Sequence, residues 1–166
     1  MNGVSRARAS GMPRARLSGM PRPRLFRKIL VPYDFSASAH AALATAIGLA
    51  QRNGGTLLVM HVISPVVPPH GAPLLPSVAD REAAAEQLAR VVARAVGRRK
   101  LARVRTWVMV GSPAGCILQA AAKADAIVMG TLGRTGLEHL LIGSVAERVV
   151  RHATIPVLTV RRRPRR

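Results

Sequence analysis

The sequence predicts a single α/β domain with a five-stranded parallel sheet and helices on both faces. Apolar, β-branched runs alternate along the chain with segments whose apolar residues recur at helical spacing, which is the order of βα units. The runs are almost continuously apolar, as in strands buried on both faces. A length of 166 residues corresponds to one domain. With 49% hydrophobic but only 2% aromatic residues, its core must consist of Ala, Val, Leu and Ile.

The predicted elements follow from local patterns. The strands are apolar runs, and they cover residues 26–32, 56–63, 103–110, 126–129 and 155–160. The helices have apolar residues at helical spacing, and they cover residues 36–52, 80–96, 113–123 and 144–152. By residue type Ser36 is the expected N-cap, Gly54 is expected to end the same helix, and Pro113 to occupy a first turn. The proline-rich stretch 64–77 predicts a long surface loop. Trp107 lies in an alternating run, typical of a strand nearer a sheet edge.

A glycine-rich segment between the fourth strand and the last helix is the main functional signal. Two residues separate Gly130 from Gly133, nine separate Gly133 from Gly143, and the hydroxyl of Ser144 follows at once. Glycines let the backbone approach a phosphate closely, and the N-terminus of the following helix attracts the same anion. The spacing matches neither the P-loop nor the dinucleotide motif G-x-G-x-x-G. As a loop residue, Gly130 is expected to affect ligand binding rather than folding. An ordinary strand-to-helix turn is the alternative interpretation.

The predicted sheet places Asp34 opposite this glycine segment. In doubly wound sheets ligands bind at the carboxyl ends of the strands, where the strand order reverses. We expect the first and fourth strands to flank that point, so that Asp34 can accept hydrogen bonds from a ribose or hold a metal bound to phosphates. Asp34 could instead cap the following helix, and Ser144 could cap its own helix while touching phosphate.

Several ordered motifs resemble the universal stress protein family. Its nucleotide-binding members carry G-x-x-G, nine residues and G-[ST], as residues 130–144 do, and the similarity extends over segments 29–36, 58–62, 111–113, 143–152 and 156–160. The resemblance implies a Rossmann-like fold of the adenine nucleotide alpha-hydrolase type. It also implies a stress-response regulator that binds ATP or a related adenine nucleotide, with Mg²⁺ as an accompanying ion, and a homodimer formed through the last strand.

The resemblance also implies which residues line the nucleotide site. It places adenine near Pro32, Asp34 and Val62. It places ribose and phosphates against Met129, Gly130, Gly133, Gly143, Ser144 and Val145.

The net charge of +19 is concentrated at the two ends of the chain. Residues 1–28 hold eight basic side chains and residues 161–166 hold five, half of the 26 in the sequence. We predict a disordered basic tail over 1–26, a domain over 27–161 and a basic tail over 162–166. The tails favour weak, salt-dependent nucleic-acid contact, so a nucleic-acid-associated dimer is an alternative function. For the first tail, a solvated appendage or a true start at Met20 is the favoured explanation, and an organelle transit peptide is a further alternative because the tail is rich in Arg and has no acidic residue.

Neither a catalytic constellation nor a membrane span is predicted. No apolar run approaches 18 residues, and the single Cys116 cannot form an intramolecular disulfide, so the expected location is the cytoplasm. His61 lies in an apolar strand, as a core or rim residue would, whereas His139 lies in the glycine segment. No general base is evident beside a water site, so we expect nucleotide binding with at most slow hydrolysis, and a slow hydrolase is a further alternative.

Overall fold

The fold is a doubly wound parallel sheet, and it confirms the predicted class. The structure is a computed structural model that describes residues 26–99, 103–131 and 142–161. Its elements in chain order are β1 (Lys28–Pro32), α1 (Ala37–Asn53), β2 (Thr56–Ile63), α2 (Val78–Val96), β3 (Arg103–Val110), α3 (Pro113–Ala121), β4 (Ala126–Gly130), α4 (Ser144–His152) and β5 (Val157–Val160). The five strands are parallel, in the order β3-β2-β1-β4-β5.

The helix and strand ends have local causes. Ser36 is the N-cap of α1, where its side chain accepts a hydrogen bond from the backbone N–H of Ala39 at 3.1 Å, and Gly54 ends that helix in the left-handed conformation. The second helix begins two residues before its predicted start, because Ser77 and Asp80 form a capping box. The last strand begins later than predicted, after Pro156.

Each face of the sheet has its own apolar cluster. On one face α1 and α2 pack on the strands, around residues such as Val31, Leu43 and Leu88. On the other face α3 and α4 pack around residues such as Leu30 and Ile117. Strands β1 and β4 lie between these layers, so their carboxyl ends are held from both sides.

The predicted loop 64–77 is irregular apart from one bridge. Val66 and Leu74 form an isolated antiparallel pair, with N···O distances of 3.2 and 2.8 Å. Within the described ranges, no helix combines the length and the apolar character needed to cross a membrane.

Candidate functional site

A crevice opens where the chain changes direction across the sheet. Strands β1 and β4 are neighbours, with Ile29 opposite Ala126, while β2 and β3 lie on one side and β5 on the other. The crevice at their carboxyl ends has a volume of about 280 Å³, near the lower end of the range for small-molecule sites.

Most of the residues predicted for the site line this one crevice. They are Pro32, Asp34, Val62, Met129, Gly130, Gly143, Ser144 and Val145. Gly133 and His139 lie outside the described residues. The lining also includes residues that the motif did not indicate, among them Tyr33, Ser36, Ser64, Pro113, Ile117 and Thr131, as well as His61, which we placed in the core or at a rim.

The N-terminus of α4 faces the crevice without a side-chain cap. Gly143 is the N-cap residue, with φ −73°, and it makes no side-chain cap hydrogen bond because it has no side chain. Ser144 is the first helical residue, so the alternative that it caps its own helix is wrong. By contrast, α1 and α2 begin with side-chain caps. Among the described residues no side chain caps the first turn of α4, so its N–H groups can bind an anion, and the helix dipole favours negative charge there.

Gly130 has a packing role that the sequence did not show. A Cβ atom at this position would lie 2.6 Å from Oγ of Ser38 and 2.8 Å from both its Cβ and its carbonyl carbon. Only glycine allows α1 to approach the end of β4 so closely. The expectation that Gly130 matters little for folding is therefore wrong, because its missing side chain is part of the contact between helix and strand.

Asp34 shapes the turn between β1 and α1. Its Oδ1 accepts a hydrogen bond from the backbone N–H of Ser36 at 3.0 Å. Ser36 itself is the N-cap of α1, so Asp34 is not the helix cap. Within the described ranges no hydrogen bond engages Oδ2 of Asp34. The carboxylate lines the crevice and retains an acceptor for a ligand hydroxyl or a metal ion.

Aromatic side chains fix the wall of the crevice beside Asp34. Phe35 has φ 65°, in the left-handed region that costs a non-glycine residue free energy. Its ring makes edge contacts with Tyr33 and His61, with centroids 5.2 and 4.9 Å apart. The Tyr33 hydroxyl lies 2.8 Å from Nε2 of His40. Burial, and to a lesser extent the charge of Asp34, raises the pKa of Tyr33 to about 12, so this phenol is neutral at pH 7.

His61 is held by the backbone. Its Nδ1 donates to the carbonyl oxygen of Tyr33 at 2.8 Å, because a carbonyl can only accept. The residue is 8% exposed and lines the crevice. A buried side chain with a backbone partner at the edge of the crevice agrees with the prediction of a core or rim residue.

Thr131 links the two ends of the glycine segment. Its carbonyl oxygen accepts from the N–H of Gly143 at 2.6 Å, and its own N–H donates to Val160 at 3.1 Å. Its Oγ1 is buried and has no hydrogen-bond partner within the described ranges. A buried hydroxyl without a partner costs free energy, so the site holds a polar atom that the described protein leaves unsatisfied. The sequence signal that could have indicated this polar atom is a hydroxyl residue directly after Gly130.

Metal-binding capacity at the crevice rests on Asp34. No cluster of three or more His, Cys, Asp or Glu residues suited to a metal occurs in the part of the chain that the structure describes. Mg²⁺ commonly uses one or two protein carboxylates together with substrate phosphates. The donor set therefore fits a Mg²⁺ ion that arrives with a nucleotide better than a resident metal.

The sheet order and the position of the crevice define a Rossmann-like α/β domain. The universal stress protein family model matches residues 25–161, and the chain belongs to this family. A universal stress protein of Thermus aquaticus is 40% identical over 139 residues, which cover 82% of this chain and 100% of that protein. One from Methanocaldococcus jannaschii is 38% identical over 144 residues, with coverage of 83% and 84%.

Solved structures of universal stress proteins share the fold. The protein UspA from Lactobacillus plantarum superposes with a TM-score of 0.71 and 27% identity, and the match covers 82% of this chain and 99% of that one. Two further universal stress proteins were solved in complex with cAMP and, from Archaeoglobus fulgidus, with dAMP. Their TM-scores are 0.62 and 0.60 at 22% and 23% identity, with 82% and 80% of this chain covered and 98% and 96% of theirs, so these two show the fold alone.

Proposed function

We propose that this universal stress protein binds ATP or a related adenine nucleotide in the crevice and acts as a stress-response regulator. The observation that carries the proposal is the convergence of the predicted residues. Eight of them, which lie in or directly beside β1, β2, β4 and α4, line one crevice at the switch point of the sheet. Four separate segments of the chain supply them, so a single local turn does not explain their meeting.

The phosphates would lie at the N-terminus of α4. The N–H groups of Ser144 and Val145 belong to the first turn of this helix, which has no side-chain cap. Thr131 offers a buried hydroxyl without a partner among the described residues, and a phosphate oxygen would suit it. Gly133, which lies outside the described residues, is the further predicted phosphate contact.

The nucleoside would lie between β1 and β2. Pro32 and Val62 present apolar surface and backbone groups for an adenine ring, and the carboxylate of Asp34 would accept from the ribose hydroxyls or hold Mg²⁺. The complexes of related proteins with cAMP and dAMP support an adenine nucleotide as the ligand class. ATP is our specific proposal.

Binding rather than rapid hydrolysis is the proposed activity. Asp34 is the one carboxylate among the described lining residues, and its Oδ1 is engaged by the N–H of Ser36. His61 uses Nδ1 for the carbonyl of Tyr33. Asp34 and His61 therefore each use one polar atom within the wall of the site, and the hydrogen bonds of the described residues do not join them into an acid–base pair.

We further propose a cytoplasmic homodimer that pairs through β5. This strand forms one edge of the sheet, and Leu158 on it is 38% exposed. An exposed edge strand with an apolar side chain favours pairing with a second copy.

A charge introduced at the start of α4 tests the proposed ligand. Ser144→Asp places a carboxylate at the N-terminus of the helix, where it interacts favourably with the dipole and should leave the fold intact or slightly more stable. The same charge should repel phosphates. We expect calorimetry to show at least a tenfold loss of ATP affinity, since each tenfold loss corresponds to about 1.4 kcal/mol. Adenosine affinity should change little.

Ser144→Asn is the matched control, because it has the same size without the charge. It should retain most of the ATP affinity. If Ser144→Asp binds ATP as tightly as the unmodified protein, phosphate does not lie at α4. If the unmodified protein binds neither adenosine nor any adenine nucleotide, the proposed function is wrong.

A further inference from the structure

A second polar depression lies at the opposite end of the sheet from the crevice, where the strands have their amino ends. It has a volume of about 540 Å³. Its lining includes four basic side chains and the only tryptophan of the sequence: Lys28, Arg103, Arg105, Lys123 and Trp107. Among the residues that the structure describes, no acidic side chain lines it.

The register of the sheet places these side chains on one face. Arg103, Arg105 and Trp107 are alternate residues of the edge strand β3, so they point to the same side. Arg103 lies opposite Thr56, which in turn lies opposite Lys28 of β1. Trp107 packs with the cluster beneath α3 and α4, so the depression is on the α3 side of the sheet.

These cations are not neutralised within the described part of the chain. The two ion pairs found there join Arg90 to Glu86 and Arg151 to Glu147, both on helices. Asp125 accepts the backbone N–H groups of Arg27 and Lys28 at 3.1 and 3.0 Å through Oδ2. A side chain that satisfies backbone groups is a poor counterion for four exposed cations.

We propose that this depression binds single-stranded nucleic acid. Proteins that bind single strands combine a positively charged groove for the phosphates with aromatic side chains on which bases stack. The exposed Arg103 and Arg105 supply the first feature, and the half-buried indole of Trp107 beside them supplies the second. An acidic peptide would use the cations but has no need of the indole.

The sequence around the depression adds to the same charge. Strand β1 begins at Lys28, so the chain enters the sheet at the same end as the depression. Seven arginines precede Lys28 in the sequence, and no acidic residue does. The sequence that leads into this end of the sheet therefore carries charge of the same sign as the depression. The crevice proposed for the adenine nucleotide lies at the carboxyl ends of the strands, so the two binding activities can be tested separately.

Anisotropy of a short fluorescein-labelled oligothymidylate, titrated with the full-length protein over a series of salt concentrations, tests the proposal. The double variant Arg103→Ala/Arg105→Ala should bind more weakly. Because each lost phosphate contact reduces the slope of log affinity against log salt by about 0.7, the slope should fall by roughly 1.4. Trp107→Leu should weaken binding roughly five- to hundredfold through lost stacking. Oligothymidylate should also quench the fluorescence of Trp107 in the unmodified protein.

The matched control is Arg52→Ala/Arg94→Ala. It removes the same charge from the last turns of α1 and α2, on the other face of the sheet. It should keep the affinity, the salt slope and the quenching. Circular dichroism of each variant checks that the fold is intact.

Two results would overturn the proposal. Equal losses in both double variants would mean that net charge alone attracts the oligonucleotide. Binding of oligoglutamate as tight as that of oligothymidylate, and insensitive to Trp107→Leu, would identify an acidic protein surface as the partner.

Discussion

Replacing Gly130 by alanine should destabilise the protein, although the residue lies in a motif associated with ligand binding. The added Cβ would lie 2.6 Å from Oγ of Ser38 and 2.8 Å from its carbonyl carbon. A rotation of the serine side chain can move the hydroxyl but not the backbone carbon, so α1 must shift away from β4. Overpacking of this kind typically costs about 1–3 kcal/mol.

The cost should be visible in thermal unfolding. For a chain of this size we expect Tm to fall by roughly 3–10 °C, measured by circular dichroism or calorimetry. Gly48→Ala is the matched control, since Gly48 lies inside α1 and the nearest atom to its added Cβ is Nη2 of Arg52 at 3.8 Å. That variant should gain about 0.5–1 kcal/mol, because alanine loses less backbone entropy in a helix than glycine.

An unchanged or higher Tm for Gly130→Ala, with ATP binding lost, would refute the packing argument. It would show that Gly130 serves the ligand alone, as its position in the sequence suggested. A fall in both Tm and affinity fits the structure, because Ser36, the N-cap of α1, lies on the wall of the crevice.

Two further substitutions test the site and the assembly. Asp34→Ala should weaken ATP binding roughly ten- to hundredfold, since a hydrogen bond to a charged group is worth about 1.5–3 kcal/mol. Asp34→Asn is the control, because it retains Oδ1 for the N–H of Ser36. If calorimetry finds equal ATP affinity for Asp34→Asn and the unmodified protein, the charge of Asp34 has no role. Leu158→Arg should convert the proposed dimer to a monomer, measured by light scattering. Leu75→Arg is the control and should leave the dimer intact, because Leu75 lies on the loop after β2 and is 72% exposed. A dimer that survives Leu158→Arg would exclude β5 as the interface.

The fold was predictable because its signals are local. Apolar runs, helical spacing, the cap at Ser36 and the stop at Gly54 each act within a few residues, and the structure places all nine elements where these patterns indicate. The errors in the prediction concern the ends of helices and strands. The start of α2 was missed because Ser77 and Asp80 cap each other, which places the first helical residues before the acid rather than at it.

The candidate site was only partly predictable, because several of its features depend on residues far apart in sequence. The contact between Gly130 and Ser38 joins β4 to α1, and no pattern within either segment specifies it. The hydrogen bond from His61 to the carbonyl oxygen of Tyr33 likewise joins β2 to the end of β1. The basic surface of β3 was hidden for a similar reason, since Lys28 and Arg103 meet only through the register of three strands.

The two described glycines of the motif act through different physical causes. Gly130 is required because a side chain has no room beside Ser38. Gly143 has φ −73° and ψ 154°, a conformation open to any residue, so neither space nor backbone strain explains it. Asn, Asp or Ser at this N-cap would bond to the first-turn N–H groups of α4 and occupy the donors that a phosphate needs. Glycine costs the helix only a few tenths of a kcal/mol relative to those residues. It is therefore the residue that keeps α4 stable while leaving its N-terminus open to an anion.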